Sequence, residues 1–319
     1  MSQFWSGRKV LVTGGNGFLG RVVVRMLDAR GAEVVAPSHD ECDLTVPGAA
    51  EALFLAEAPS HVIHLAARVG GIGYNQVDPA RLYLDNLLMG TYVIEAARAA
   101  GIDKTVLLGT VCSYPKFTPV PFREESLWDG FPEETNAPYG IAKKAHLLHA
   151  QVNAQQYGQR FAYLIPTNLY GPGDKFHPAV SHVIPALIKK CVEAKESGAG
   201  HIDVWGTGSA SREYLYVDDA AEAIVLAAEK HDGTEPINLG ADREITIKET
   251  AEAIAEVTGF GGTLEWDATK PDGQPRRRID PGRAAALLGW SAATDFREGL
   301  RRTVEWYLAN RELAEQPPR

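Results

Sequence analysis

Cysteine is scarce in this chain of 319 residues: Cys42, Cys112 and Cys191 are too few and too scattered to staple a small domain or to space a zinc site. A reducing compartment follows. No apolar run reaches the length of a membrane span, and the glycine-rich stretch that begins at Gly14 leaves no room ahead of it for a signal peptide, so the expected location is the cytoplasm. Positive charge is also short, with 32 Lys and Arg against 41 Asp and Glu and a formal net charge of -9. That balance argues against nucleic acid as the main partner, because phosphate binding needs a basic face. There is no G-x-S-x-G elbow, no Walker A sequence and no internal repeat, so hydrolase and ATPase readings lack support, and no metal site is expected.

The composition that remains, 45% hydrophobic and 23% charged, is that of a globular protein. The length exceeds a usual single core, so two domains, or one with an appended lobe, are expected. Lys9-Val10-Leu11-Val12-Thr13 reads as a strand that breaks into Gly14-Gly15-Asn16-Gly17-Phe18-Leu19-Gly20, and a helical pattern follows through Val22, Val23, Met26 and Leu27. Glycines at 14, 17 and 20 give a tight turn, a close approach for a pyrophosphate at a helix N-terminus, and close packing of helix on strand. A glycine triplet alone is weak evidence, but its place between strand and helix is the context that supports dinucleotide binding. After the second strand, Glu33–Ala36, stand Pro37, Ser38 and His39, with neither an acid for a free ribose 2′-hydroxyl nor an arginine for a 2′-phosphate. NAD and NADP both remain open on these residues.

His61–Ala67 reads as a buried parallel strand in which His64 is a structural histidine, and Ala67–Gly73 as a glycine-rich loop. Pro79–Ala100 has a helical pattern, and Thr105–Leu108 a strand that delivers Thr110 and Cys112 at its C-terminal end. The Pro-rich run 115–138 reads as a flap over a substrate. Tyr139 and Lys143, four apart at the start of the next helix, share one face, where the ammonium would lower the phenol's pKa and make it a proton donor and acceptor. Beyond Phe161–Ile165 the composition changes and suggests a smaller lobe. It has a helix at 183–192, strands at 202–205 and 213–217 around Gly206-Thr207-Gly208, and a frayed polar tail from Asn310.

Together, the glycine signature, Thr110, Tyr139 and Lys143 resemble the extended short-chain dehydrogenase/reductase superfamily, in its nucleotide-sugar epimerase/reductase branch. The segments Ala67–Ile72, Gly109–Lys116, Pro166–Pro172, Ser181–Leu187, Val204–Gly208, Arg212-Glu213 and Lys270–Gly273 are similar to those of the GDP-L-fucose synthase family. This resemblance implies an α/β fold: a Rossmann-like doubly wound parallel sheet, with a smaller α/β substrate-binding lobe toward the C-terminus. Residues 1–170, with 214–240 returning, would form the dinucleotide-binding domain, and 171–213 with 241–319 the nucleotide-sugar lobe. It further implies a 3,5-epimerase and 4-reductase acting on GDP-4-keto-6-deoxy-mannose or a close GDP-sugar relative.

In that family Thr110 would hydrogen-bond the sugar C4 oxygen, Tyr139 would protonate it, Lys143 would support the tyrosine and hold the nicotinamide ribose, and Cys112 and His182 would be the acid/base pair. The cofactor, NADP or NAD with NADPH favoured by the family, would lie against Gly14, Asn16, Gly17, Phe18, Leu19, Gly20, His39, Asp43, Leu44, Leu65, Ala66, Ala67, Lys143, Pro166, Asn168 and Leu169. Sugar-nucleotide contacts would come from Val69, Gly70, Asn168, Lys190, Trp205, Arg212 and Lys270. Residues alone leave Trp205 divided between lobe core and ligand stacking, and Arg212 between a surface ion pair and a pyrophosphate contact. The sequence departs from the family at Val111 and Ser113, where a serine and an isoleucine are usual, and at Asn16, Pro37 and His39, where arginines are usual. A homodimer through the helices around 82–97 and 139–152 is also implied. The rivals are a nucleotide-sugar 4-epimerase, which has no use for Cys112 and His182, an epimerase-only or heptose-acting variant, and a cofactor-binding regulatory protein.

Overall fold

The computed structural model describes residues 3–70, 75, 77–270 and 274–317. Six parallel strands form the central sheet: β1 (Lys9–Thr13), β2 (Glu33–Val35), β3 (His61–His64), β4 (Lys104–Leu108), β5 (Phe161–Pro166) and β9 (Pro236–Leu239), in the order β2-β1-β3-β4-β5-β9. Both faces are covered, as a parallel sheet requires. Along β1, Val10 and Val12 join Val23, Leu27 and Ile224 on one side, while Leu11 joins Phe54, Val62 and Val93 on the other. The covering helices are α1 (Phe18–Ala29), α2 (Ala49–Glu57), α3 (Pro79–Ala99) and α4 (Ala137–Tyr157). The sheet order reverses between β1 and β3, and ligands bind open α/β sheets outside the strand C-termini at such a switch point.

Past β5 the chain leaves this sheet. β6 (Asn168–Tyr170) pairs with β8 (Ser211–Tyr216), which also pairs with β10 (Glu244–Thr246), while β7 (His201–Trp205) pairs with β11 (Thr263–Asp267). α5 (Val183–Ser197) packs with α7 (Ile247–Thr258) and α9 (Phe296–Ala309) in a second apolar cluster around Tyr170, Phe176, Ile188, Ile254 and Leu300. α6 (Val217–Lys230) carries the chain back to the central sheet, where α8 (Gly282–Leu288) packs against it.

Three elements differ from the sequence expectation. β3 stops at His64 because Thr13 Oγ1 lies 2.8 Å from His64 Nδ1 and also receives the Ala66 amide, which turns the chain out of the sheet. The run 115–138, expected as a flap over a substrate, is anchored to the chain beneath it. Phe122 and Leu127 are buried, Phe122 N–H donates to Arg278 O, and the buried Glu124 carboxylate accepts the Asn238 amide at 2.9 Å. The tail is also held: Arg311–Ala314 forms a helical turn, α10, the Phe176 amide donates to Ala314 O, and Glu315 pairs with Lys189 and accepts from Tyr307.

Candidate active site

At the switch point the loop after β1 lies directly on the loop after β3. Gly14 has φ +71°, and a Cβ there would stand 2.7 Å from Ala66 N. At Gly20 a Cβ would stand 2.1 Å from Gly14 O, so α1 can start where it does only with glycine at that position. Gly17 caps α1 without a side-chain hydrogen bond, and no acid occupies the first turn, so the N–H groups of that turn face the loop uncapped by any side chain. Such an N-terminus suits the pyrophosphate of a dinucleotide. The neighbouring loop at 68 is set by the buried Asn86 of α3, whose amide donates to Arg68 O at 2.8 Å and accepts from Arg68 N at 3.1 Å.

The second half of the site is where α4 meets the end of β4. Thr110 is buried and caps a short 3-10 turn over Val111–Ser113, its hydroxyl accepting the Cys112 amide at 3.2 Å. That turn lies on the first turn of α4 with no space between them. A Cβ at Gly140 would come 2.3 Å from Cys112 O, and Ser113 Oγ donates to Gly140 O at 2.9 Å. Tyr139 and Cys112 are thereby held together. Below them, the ring of Tyr163 on β5 fills the space a side chain at Gly109 would need, and its hydroxyl donates to the Lys143 carbonyl at 2.6 Å. Lys143 is 2% exposed, with Nζ 5.9 Å from the centre of the Tyr139 ring.

The electrostatics of the pair differ from the expectation of a lowered phenol pKa. Burial raises the Tyr139 pKa above its ordinary value, with the neighbouring Cys112 charge adding to it, and burial lowers Lys143 to about 8. Desolvation of both groups outweighs the pull of an ammonium nearly 6 Å from the ring centre.

Across the cleft, Asn168, Leu169, His182, Arg212 and Tyr214 line a small cavity of about 60 Å³. His182 is the N-cap residue of α5, and crowding by protein, with the Lys175 charge second, lowers its pKa below the ordinary imidazole value. Arg212 donates to the carbonyls of Ser211 and Gln274 at 2.7 and 2.6 Å, which binds β8 to the segment 274–280. Lys190 opens instead to a separate hollow of about 380 Å³ with Glu193, His201 and Asp203, and donates to Asp203 O. Trp205 is 62% exposed and so is not lobe core; Lys270 Nζ stands 5.5 Å from its ring centre.

One residue that the sequence reading passed over faces the thiol: Arg277 Nη1 lies 3.9 Å from Cys112 Sγ. It stands inside the run Arg276-Arg277-Arg278, whose flanking members pair with Glu244 and Asp242. The run itself was the available signal, and the pairing of its neighbours is what singles out the middle arginine.

These features agree with comparison to known proteins. The model of the NAD dependent epimerase/dehydratase family matches residues 10–240. The chain belongs to this family. GDP-L-fucose synthase 1 of Arabidopsis thaliana is 45% identical over 303 residues, 95% of this chain and 94% of that one, and GDP-L-fucose synthase of Escherichia coli is 38% identical over 96% and 98%. Among solved structures, a GDP-L-fucose synthetase from Naegleria fowleri bound to NADP superposes with a TM-score of 0.88 at 29% identity, covering 98% of this chain and 97% of that one.

Membership of the epimerase/dehydratase family makes the chain an NAD(P)-dependent enzyme, and the uncapped start of α1 fits such a cofactor. Phe18, Leu19 and Gly20 form that first turn, and Asn16 is tied to β2 through Ala36 O at 3.2 Å. His39 is exposed and 3.9 Å from Asp43, whose carboxylate accepts both the amide and hydroxyl of Thr45. Leu44 is buried beside Phe54, while Leu65, Ala66 and Ala67 follow β3 at the switch point. Pro166 ends β5, and Asn168 donates to Glu213 O. Val69 is exposed and Gly70 buried in the loop after β3; Gly71, Ile72 and Pro271–Gly273 of the expected motifs lie outside the described residues.

Proposed function

We propose that the chain inverts C3 and C5 of GDP-4-keto-6-deoxy-mannose and reduces C4, as a 3,5-epimerase/4-reductase of the GDP-L-fucose synthase type. Near-full-length likeness to proteins of that name supports the substrate class. The observation that carries the chemistry is the contact at Gly140, which holds Tyr139 against the turn bearing Thr110 and Cys112.

A 4-keto sugar loses protons from C3 and C5 because either carbanion is an enolate onto one shared oxygen. Thr110 and Tyr139 would stabilise that oxygen, while Cys112 and His182 would take and return protons on opposite ring faces. The guanidinium of Arg277 stands beside the Cys112 thiol. When bound, the nicotinamide cofactor supplies the hydride for C4, and Tyr139, kept protonated by its raised pKa, supplies the proton for the oxygen. Lys143, neutralised only above about pH 8, would hold the nicotinamide ribose as an ammonium at neutral pH.

The same reading assigns 1–170 with 214–240 to cofactor binding and 171–213 with 241–319 to the nucleotide sugar. It also assigns a cytoplasmic location and a homodimer through α3 and α4, whose Leu84, Leu148 and Val152 are exposed. Among the described residues no helix is long and apolar enough to cross a membrane.

The test is incubation with GDP-4-keto-6-deoxy-mannose in deuterated water, with NADPH and separately with NADH. Deuterium at C3 and C5 together with consumption of reduced cofactor is expected. Absence of exchange removes the roles of Cys112 and His182, and exchange without cofactor loss leaves an epimerase alone. Tyr139→Phe should abolish reduction in a folded protein; unchanged turnover refutes its role.

A further inference from the structure

Glu213 is a buried acid that the proposed chemistry leaves unused, fully enclosed beside Arg212 on β8. Its two carboxylate oxygens accept three backbone amides from two distant segments. Oε1 accepts from Ala241 at 2.8 Å and Asp242 at 2.9 Å; Oε2 accepts from Ile279 at 2.9 Å. Its own carbonyl accepts from Thr167 Oγ1 and from Asn168 Nδ2. Gly240 leaves room for the carboxylate, since a Cβ there would stand 2.8 Å from Oε1, and Asp242 adopts φ +55° to aim its amide inward. One side chain thus joins the lobe strand to the exit of β9 and to the segment 274–280.

That segment supplies two features of the cleft. Gln274 O holds the Arg212 guanidinium, and Arg277 reaches Cys112. Gln274 also accepts from Arg277 Nε at 3.2 Å and donates to Lys116 O at 3.0 Å, so a shift of the segment moves both arginines together. We propose that Glu213 is a positioning residue that sets Arg212 and Arg277 for the nucleotide-sugar side of the cleft, and that the division of labour between its two oxygens makes this role separable from cofactor binding. The assignment rests on the reading that this cleft takes a nucleotide sugar.

The distinction between carboxylate and amide follows from donor count. Three N–H groups converge on two oxygens, and glutamine of the same shape offers one oxygen and one N–H₂. In Glu213→Gln the amide oxygen satisfies the pair at Ala241 and Asp242, and the N–H₂ group meets the Ile279 N–H, which expels the segment 274–280. The cofactor loops at 14–20 and 65–67 make no bond to Glu213, and Asn168 bonds its backbone carbonyl, which the substitution keeps, so all three stay in place.

The experiment measures, on the full chain, KM for GDP-4-keto-6-deoxy-mannose and for NADPH, the Kd of GDP as a stable probe, and amide hydrogen exchange. For Glu213→Gln the sugar-nucleotide KM and the GDP Kd should each rise about tenfold or more, as expected when a buried donor loses its acceptor, while the NADPH KM stays within about threefold. Exchange at Ile279 should accelerate while exchange at Val12 and Ile63 does not. Equal weakening of NADPH and GDP would reduce Glu213 to a general packing role and overturn the proposal, and so would unchanged GDP binding. Should the variant fail to fold, the parent chain decides: Ile279 N–H must exchange far more slowly than the N–H of the exposed Phe117, and comparable rates overturn the anchoring. If the parent binds no GDP at all, the functional reading fails while the exchange result still judges the anchor.

Discussion

Replacing Gly140 by alanine separates stability from turnover. The added Cβ would stand 2.3 Å from Cys112 O, 2.9 Å from Cys112 C and 3.3 Å from Ser113 Cα, against an ordinary contact of 3.4 Å or more. The first turn of α4 must therefore retreat from the 110–113 turn by roughly 1 Å, since neither partner is a flexible side chain. Overpacking of this kind costs about 1–3 kcal/mol, offset by about 1 kcal/mol from the better helix propensity of alanine. The net loss of about 0–2 kcal/mol lowers Tm by at most a few degrees in a chain of this size. Misplacing Tyr139 by about 1 Å should be far more costly to the reaction, on the order of a hundredfold in kcat. NADPH oxidation at saturating GDP-4-keto-6-deoxy-mannose, alongside a thermal melt, measures both. Gly261→Ala, where a Cβ meets nothing within 4 Å, is the control. Turnover of Gly140→Ala within about threefold of the parent would refute the view that this contact sets the geometry of Tyr139.

Lys143→Met should stabilise the fold at pH 7. The ammonium has a pKa of about 8 folded and 10.5 unfolded, so its burial costs about 3 kcal/mol below pH 8, and the cost fades as pH rises toward 10.5. Urea titrations at pH 7 and pH 10.5 check this, and an equal gain at both values would contradict it. Tyr163→Phe removes the bond to Lys143 O and should cost about 1 kcal/mol in the same assay, with no change expected if that carbonyl were satisfied elsewhere. Deleting residues 311–319 leaves the Phe176 amide without Ala314 O and takes Glu315 from Lys189, for a loss of about 2 kcal/mol. An unchanged melt would restore the view of a frayed tail.

The nucleotide-binding half was legible because its signals are local. Hydrophobic strands run straight into glycines, and Gly20 serves a contact with Gly14 and Gly15, only a few residues away. Tyr139 and Lys143 were legible for the same reason, as neighbours on one helical face. The supports under them were not. Gly140 is needed because of Cys112, 28 positions earlier, and Gly109 because of Tyr163 on another strand. The anchoring of the run 115–138 was not legible because its partners, Asn238 and Arg278, lie more than 100 residues away. Arg277 was hidden in a row of three arginines whose sorting depends on which acids they meet, and the direction of the Tyr139 shift depended on burial that spacing does not report.

Where α3 crosses α4, the imidazole of His146 occupies the volume that any side chain at Gly90 would require, with ring atoms 2.2–2.5 Å from the position of a Cβ, and its Nε2 lies 3.2 Å from Leu87 O. This interlock works as a key in a slot. α4 cannot slide along α3 without driving the ring into the backbone, and Tyr163 fixes it from the sheet side. The wall bearing Tyr139 and Lys143 is thus pinned from two sides, by the neighbouring helix and by the sheet.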